Sequence, residues 1–363
     1  MASKKEKIAI LSTNLQNNLN NFEVREDERV LLNSSSDFRP YVTNGIFQFN
    51  DKIGAQYLGY WVKGINGKDW ALKIAKEPTI KKLSDDTSIE VMPDYFYIQK
   101  LNERMARNCS LRTIDSQVMK YSNNSNLYCI MSEDYRKPGY STIGGKEIVI
   151  DEYLEYLDTT DFFEKNYGVK SYRDLENGVF NVNSLPNIYQ ALRYRYEKRA
   201  SVPDSFYAPK KTSSIVDTIY YDLVLRYVFA YITMQLDFHL DNWEILEDDS
   251  SVYLSNMYDM EKSMKSDAFY NIDTNTSMKF STNGLLSIDD DFQAFIDESE
   301  ENKKIVERML YLLTPQDILN FMKPKNKNDI VFPPGLQKRI LEDYSRHFVK
   351  IEKMLSHKKT FNK

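Results

Sequence analysis

The stretch Asp237-Phe238-His239-Leu240-Asp241-Asn242, with Asp259 seventeen residues past Asn242, brings an acid, an amide and a second acid into one short region. Trp243–Leu246 and Val252–Met257 read as strands across the polar turn Glu247–Ser251, which predicts a β-hairpin that returns Asp259 beside Asn242. Oxygen ligands from Asn242 and Asp259 then converge where Mg²⁺ binds. Asp237, five positions before Asn242, stands where a base accepts a hydroxyl proton. An acid, an amide and an acid at this spacing point to phosphoryl transfer.

A competing register takes Asp241, in His239-Leu240-Asp241, as the base. Five residues beyond Asp241 lies Leu246, which has no metal-binding atom, whereas five beyond Asp237 lies Asn242. Asp237 is therefore the candidate base. His239 is read as structural, buried behind the loop and hydrogen-bonding to backbone, and Trp243 as core. Asp241 is either a second acid near the metals or a solvated loop residue.

Length sets the scale for the rest. At 363 residues the chain is expected to hold about two domains, and 42% hydrophobic with 13% aromatic residues excludes a largely disordered chain. A formal charge of −5 offers no positive field to gather nucleic acid, so direct DNA binding is not expected. Two cysteines, Cys109 and Cys129, have no metal-ligand spacing and suit a reducing cytoplasm as small buried hydrophobes. The apolar Ile8–Leu11 is too short for a signal peptide. Ile215–Leu236 contains Asp217, Asp222 and Arg226, so it is expected to be a buried helix and not a membrane span. Cytoplasmic location is the expectation, and the abundance of Asn, Lys, Ile and Tyr suggests an AT-rich, bacterial genome.

Upstream, residues 1–44 are polar and Asn-rich, with a short helix over Ser12–Phe22 and no assigned role. From Gly45 short strands alternate: Gly45–Phe49, a turn at Asp51–Gln56, Tyr57–Lys63, an Asn66-Gly67 turn and Trp70–Ala75. Lys73, a cation within the apolar third strand, suits the α- and β-phosphates of a nucleotide, or else is an edge lysine facing solvent. Asp94 or Glu90 is its expected carboxylate partner. Gly54-Ala55-Gln56 occupies the first turn, where backbone N–H groups meet phosphate oxygens. Pro93–Asn108 has helical spacing in Phe96, Ile98, Leu101 and Met105. Leu127–Met131 reads as a buried strand leading to a hinge over Ser132–Gly139, in which Ser132 and Asp134 are assigned to the nucleotide. Residues 45–135 thus form the small lobe, and 136–363 the large one, with helices over Asp151–Leu157, Leu185–Lys198 and Ile215–Leu236. Thr314-Pro315-Gln316-Asp317 starts a further helix, and Leu336, Ile340, Tyr344, Phe348, Ile351 and Leu355 mark a final amphipathic one. The Ser/Thr-rich stretch between Asp259 and Asn283 is a polar loop or an activation segment. The expected fold class is α+β: a two-lobed protein-kinase-like fold with a small antiparallel sheet and a large mainly helical lobe.

These motifs resemble the HipA-like serine/threonine kinases, including their cell-translocating relatives. Asp237-x-His239-x-x-Asn242 is similar to that family's catalytic loop, Tyr258-Asp259 to its metal-binding dipeptide and Gly54-Ala55-Gln56 to its phosphate loop, over roughly Gly45 to Lys262 with large gaps. The resemblance implies ATP and Mg²⁺ as cofactors, a protein Ser or Thr as acceptor, and room for a cognate regulatory protein. The chain departs from the family at Asp51, where many members carry a regulatory Ser three residues before the loop Gly, and before Gly45. Two other readings share the motifs: a small-molecule or lipid kinase on the same scaffold, and a nucleotide-binding pseudokinase acting as an interaction module.

Overall fold

A computed structural model of the chain describes residues 22–23, 57–64, 69–75, 79–82, 88–122, 125–136, 139–176, 179–200, 209–235, 238–258, 260, 262–265, 269–270, 277–325 and 330–357. The chain divides into two compact units, Met1–Lys100 with Ile114–Tyr135, and Leu101–Thr113 with Arg136–Lys363.

The first unit is a sheet unit. Strands β1 (Phe22–Glu23), β2 (Tyr57–Gly64), β3 (Asp69–Ala75), β6 (Ser116–Ser122) and β7 (Ser125–Glu133) make a five-stranded antiparallel sheet in the order β1-β2-β3-β7-β6, and β4 (Thr79–Lys82) pairs with β5 (Ser88–Val91) in a second, two-stranded sheet. The aromatic and β-branched runs of β2 and β3 suit a pleated surface, and both strands lie where the alternation predicts them. The β4–β5 hairpin was not legible because each strand has four residues, too few to establish a period. The expected strand Gly45–Phe49 and the turns at Asp51–Gln56 and Asn66-Gly67 lie outside the described residues, as does the helix over Ser12–Phe22 except Phe22 itself, which belongs to β1. The expected hinge begins later than read, since Ser132 and Glu133 still belong to β7.

Helix α1 (Asp94–Asn108) buries Phe96, Ile98, Leu101 and Met105, the residues whose spacing predicts it. It ends in a left-handed Ser110 (φ 60°), whose N–H donates to the Arg107 carbonyl at 3.0 Å while Leu111 N–H reaches Ala106 at 2.9 Å. Such a cap satisfies the last carbonyls of a helix.

The second unit is mainly helical. After β8 (Ser141–Gly144) comes a π-helical stretch, Glu147–Leu154, running into α2 (Glu155–Asp158), then α3 (Phe162–Tyr167), α4 (Leu185–Ala200) and α5 (Pro209–Ile232). The hairpin strands β9 (Glu244–Glu247) and β10 (Val252–Leu254) follow, and β8 pairs with β9 to make a three-stranded sheet. Helices α6 (Ile288–Glu298), α7 (Glu300–Leu312), α8 (Pro315–Met322) and α9 (Pro334–Ser356) complete it. The expected α-helix over Asp151–Leu157 is thus π-helical for half its length and starts earlier. Helix α5 also starts earlier than its apolar pattern, at Pro209, because its first turns are polar; it ends at Ile232 rather than Leu236. Met234 adopts φ 52°, its N–H donating to Tyr231 at 3.0 Å and that of Gln235 to Ala230 at 2.8 Å. That left-handed cap ends the helix just before the loop at Phe238–Asn242.

The core gathers around α5, where Val216, Ile219, Leu223, Val228, Phe229 and Ile232 are buried. Tyr231 stacks on Phe292 of α6 with centroids 3.6 Å apart. Thr314 caps α8 in a box with Asp317, as its sequence predicts. No helix among the described residues is long and apolar enough to cross a membrane.

Candidate functional site

The loop that follows α5 is short and tightly bonded. Leu240–Asn242 form a single helical turn, capped by His239, whose Nδ1 accepts the Asp241 N–H at 3.2 Å, and Asn242 N–H donates to the His239 carbonyl at 3.0 Å. The Asp241 carboxylate approaches the same Nδ1 to 3.6 Å. His239 therefore bonds to backbone as expected, but it is half-buried and not fully enclosed. Asp241 is exposed and Trp243 is buried in the core.

The hairpin puts Leu246 opposite Tyr253 and Ile245 opposite Leu254. Asp248 folds its turn by accepting the N–H groups of Ser250 and Ser251, each at 2.7 Å. These bonds, those from Ser250 first, hold its carboxyl well below the usual carboxylate range. The hairpin differs from expectation in starting at Glu244 and in returning only to Leu254; Ser255, next in register opposite Glu244, still donates its N–H to the Glu244 carbonyl at 2.8 Å while its Oγ accepts the Glu244 N–H at 3.3 Å. Further on, Met257 N–H donates to the Arg112 carbonyl at 2.9 Å, and the Tyr258 hydroxyl donates to the Asp241 carbonyl at 3.2 Å. Tyr258 therefore lies against the loop that carries Asn242. Asn102 of α1 donates to the Met260 carbonyl at 2.7 Å and to the Ser263 hydroxyl, tying the following segment to that helix.

Three supports were not read from the sequence. Gly145 N–H donates to the Trp243 carbonyl at 3.0 Å, and a Cβ at Gly145 would stand 2.5 Å from the indole Cζ2 and 2.7 Å from the Leu240 carbonyl oxygen. Only glycine fits there. Met278 N–H donates to the Phe238 carbonyl at 2.7 Å, and the Asn183 side-chain carbonyl accepts the Leu240 N–H at 3.0 Å. The Gly144-Gly145 pair was the one available signal; Asn183 and Met278 gave none, because their role depends on residues far away in sequence.

In the first unit, Lys73 lies opposite Gly59 on one side and Ile130 on the other, while Ser132 of β7 lies opposite Ser116. Cross-strand partners share a face, so Lys73, Ile130, Ser132 and Ser116 line one side of the sheet. Ile130 and Ser116 are buried, Lys73 and Ser132 half-buried. Lys73 therefore projects from the sheet face in partly covered surroundings, unlike a lysine on a solvent-facing edge. Asp134 follows β7 directly, Asp94 is the first residue of α1, half-buried, and Glu90 lies in β5. Asp237, Asp259, Gly54, Ala55, Gln56 and Asp51 lie outside the described residues. Among the described residues no group of three or more His, Cys, Asp or Glu could hold a metal ion. Cys109 is half-buried, and burial pushes its thiol up to about 12.

No family model matches the chain, and no curated protein matches it. Among solved structures it is similar to the Helicobacter pylori proinflammatory kinase CtkA, at 12% identity and a TM-score of 0.50, over 84% of this chain and 94% of that one. It is also similar to HipA of the Shewanella oneidensis MR-1 toxin–antitoxin system, solved with HipB and operator DNA, at 10% identity and a TM-score of 0.48, over 98% of this chain and 88% of that one. A MAP kinase of Leishmania major, LmaMPK10, matches at 10% identity and a TM-score of 0.25, over 84% of this chain and 80% of that one. The CtkA likeness shows the fold: a two-lobed, kinase-like architecture with a small antiparallel sheet and a mainly helical lobe, the class implied by the sequence resemblance.

Proposed function

We propose that this chain is an ATP- and Mg²⁺-dependent phosphotransferase acting on Ser or Thr hydroxyls of a protein, in the manner of HipA-like kinases. The observation that carries the reading is the spacing of Asp237, Asn242 and Asp259 around a helix, a tight loop and a hairpin, with Tyr258 bonded back to the loop at Asp241. In this reading Asp237 accepts the acceptor hydroxyl's proton. Asn242 and Asp259 hold Mg²⁺, and their amide and carboxylate oxygens suit a hard cation. The bound ion's contribution is to neutralise phosphate charge. Lys73 faces the α- and β-phosphates and is oriented by Asp94 or Glu90, the N–H groups of Gly54, Ala55 and Gln56 face the phosphate oxygens, and Ser132 and Asp134 meet the rest of the nucleotide. Residues 45–135 and 136–363 serve as the small and large lobes, after an extension, 1–44. Cytoplasmic location, a cognate regulatory protein, and the absence of direct DNA or membrane contact belong to the same proposal.

The test is phosphate transfer from γ-labelled ATP with Mg²⁺, into the protein and a generic acceptor, for wild type, Asp237→Asn and Asp259→Asn. Wild type is expected to label protein, and a well-placed base is worth about 10²–10⁴-fold in rate, so Asp237→Asn should lose that much. An Asp237→Asn variant with undiminished transfer removes the assigned base. Wild type that binds ATP but labels no protein redirects the reading to small-molecule or lipid acceptors, and then to a pseudokinase.

A further inference from the structure

We propose that Asn183 is a positioning residue that sets the catalytic loop. Its consequence for rate rests on the phosphoryl-transfer reading, whereas its geometry stands independently. Leu240 sits between the proposed base Asp237 and the proposed metal ligand Asn242, and it is 4% exposed. Its N–H has no access to water and donates to Asn183 Oδ1 at 3.0 Å. A buried amide left without that acceptor would pull the loop toward some other one.

Asn183 is itself fixed from both sides. It is buried, its N–H donates to Asn181 Oδ1 at 2.9 Å, and its carbonyl accepts the Lys279 N–H at 3.2 Å. Asn181 N–H donates to Thr282 at 2.8 Å, Asn187 Nδ2 donates to the Asn181 carbonyl at 2.8 Å, and Ser184 bridges Lys279 in parallel. The same segment supplies Met278 N–H to the Phe238 carbonyl. This region thus holds the loop at Phe238 through the Met278 backbone and at Leu240 through the Asn183 side chain, beside the Tyr258 hydroxyl at Asp241.

The experiment compares full-length wild type, Asn183→Leu, which is similar in size but lacks the acceptor, and Asn183→Asp, which keeps it. The rate at saturating ATP, the Mg²⁺ concentration for half-maximal rate, and hydrogen exchange of the peptide covering 238–243 are measured together. Misplacement of a reacting group by about 1 Å costs on the order of 10²-fold. Asn183→Leu is therefore expected to lose roughly 10–100-fold in kcat and to require more Mg²⁺, with faster exchange at Leu240, and Asn183→Asp to recover to within about threefold of wild type. A folded Asn183→Leu protein with wild-type kcat and Mg²⁺ requirement overturns the inference, as does Asn183→Asp no better than Leu. Should the Leu variant not fold, Asn183→Asp decides, and a loss above about tenfold overturns it. Wild type that transfers no phosphate breaks the phosphoryl-transfer reading instead; the inference then stands or falls on whether Leu240 exchange speeds up in Asn183→Leu and not in Asn183→Asp.

Discussion

Two regions of the helical unit are fixed in different ways. The proposed catalytic loop is held by neutral groups: the Asn183 amide, the N–H groups of Met278 and Gly145, and the Tyr258 hydroxyl. The region packed between α5, α6 and α9 is held by buried ions and a buried imidazole. Asp291 accepts the N–H groups of Phe280 and Ser281 at 2.7 and 2.8 Å and the Tyr227 hydroxyl at 2.9 Å. Burial pushes its carboxyl up, against those bonds and Lys279. The Lys279 ammonium, almost wholly buried, donates to the Gly284 and Leu286 carbonyls, each at 2.7 Å. Where carboxylates are proposed to work, geometry is fixed by dipoles that leave their charge states alone; where a segment only needs anchoring, full charges bind it more firmly.

The comparison is broken most directly at Lys279. Lys279→Met deprives the buried Gly284 carbonyl and the part-buried Leu286 carbonyl of a donor and Asp291 of a nearby cation, and removing one member of a buried charged set costs about 3–5 kcal/mol. Denaturant titration measures this; a loss below about 1 kcal/mol, the net worth of a neutral hydrogen bond, would erase the contrast.

His347 sharpens it through pH. Buried in the stripe of α9, its Nε2–H donates to the Tyr231 carbonyl at 2.8 Å and its Nδ1 accepts the Tyr270 hydroxyl at 2.6 Å, with Lys350 and Asp289 nearby. Burial lowers its pKa from 6.5 to about 4. The unfolded chain then takes up a proton near 6.5 that the folded one refuses until about 4, so this stability is fully present above pH 6.5 and drains as pH falls to 4. The whole window is worth about 3 kcal/mol. His347→Gln is expected to flatten the stability profile between pH 6.5 and 5, and a slope equal to that of wild type would show the imidazole is not buried neutral.

The smallest effect on stability is expected at Gly145. Gly145→Ala forces a Cβ against Trp243 and the Leu240 carbonyl, an overpacking worth about 1–3 kcal/mol. Because Leu240 belongs to the loop, phosphate transfer should fall further than unfolding free energy alone explains. Equal activity at reduced stability would mean the strain is absorbed by the indole and does not reach the loop.

What was legible in the sequence was local. Spacing marked α1 and α9, Thr314 to Asp317 marked the start of α8, and the polar turn between two apolar runs marked the β9–β10 hairpin, since periodicity and caps report contacts within a few residues along the chain. The proposed constellation is local in the same way: Asp237, Asn242 and Asp259 lie within 23 residues of sequence. The apolar stripe of α9 did not reveal that His347 is buried within it, nor did the polarity of Lys279 and Asp291 reveal that both lie inside.

The sequence by itself determined the longest amphipathic helices, the β9–β10 hairpin, the kinase-like class and the candidate chemistry. Only the tertiary structure decided what holds that chemistry in place. Asn183 reaches Leu240 across 57 residues, and β8 pairs Ile143 with Ile245. Such partners are selected by which buried donors remain unpaired once the core has closed, and no pattern within a helix turn or a hairpin encodes that choice.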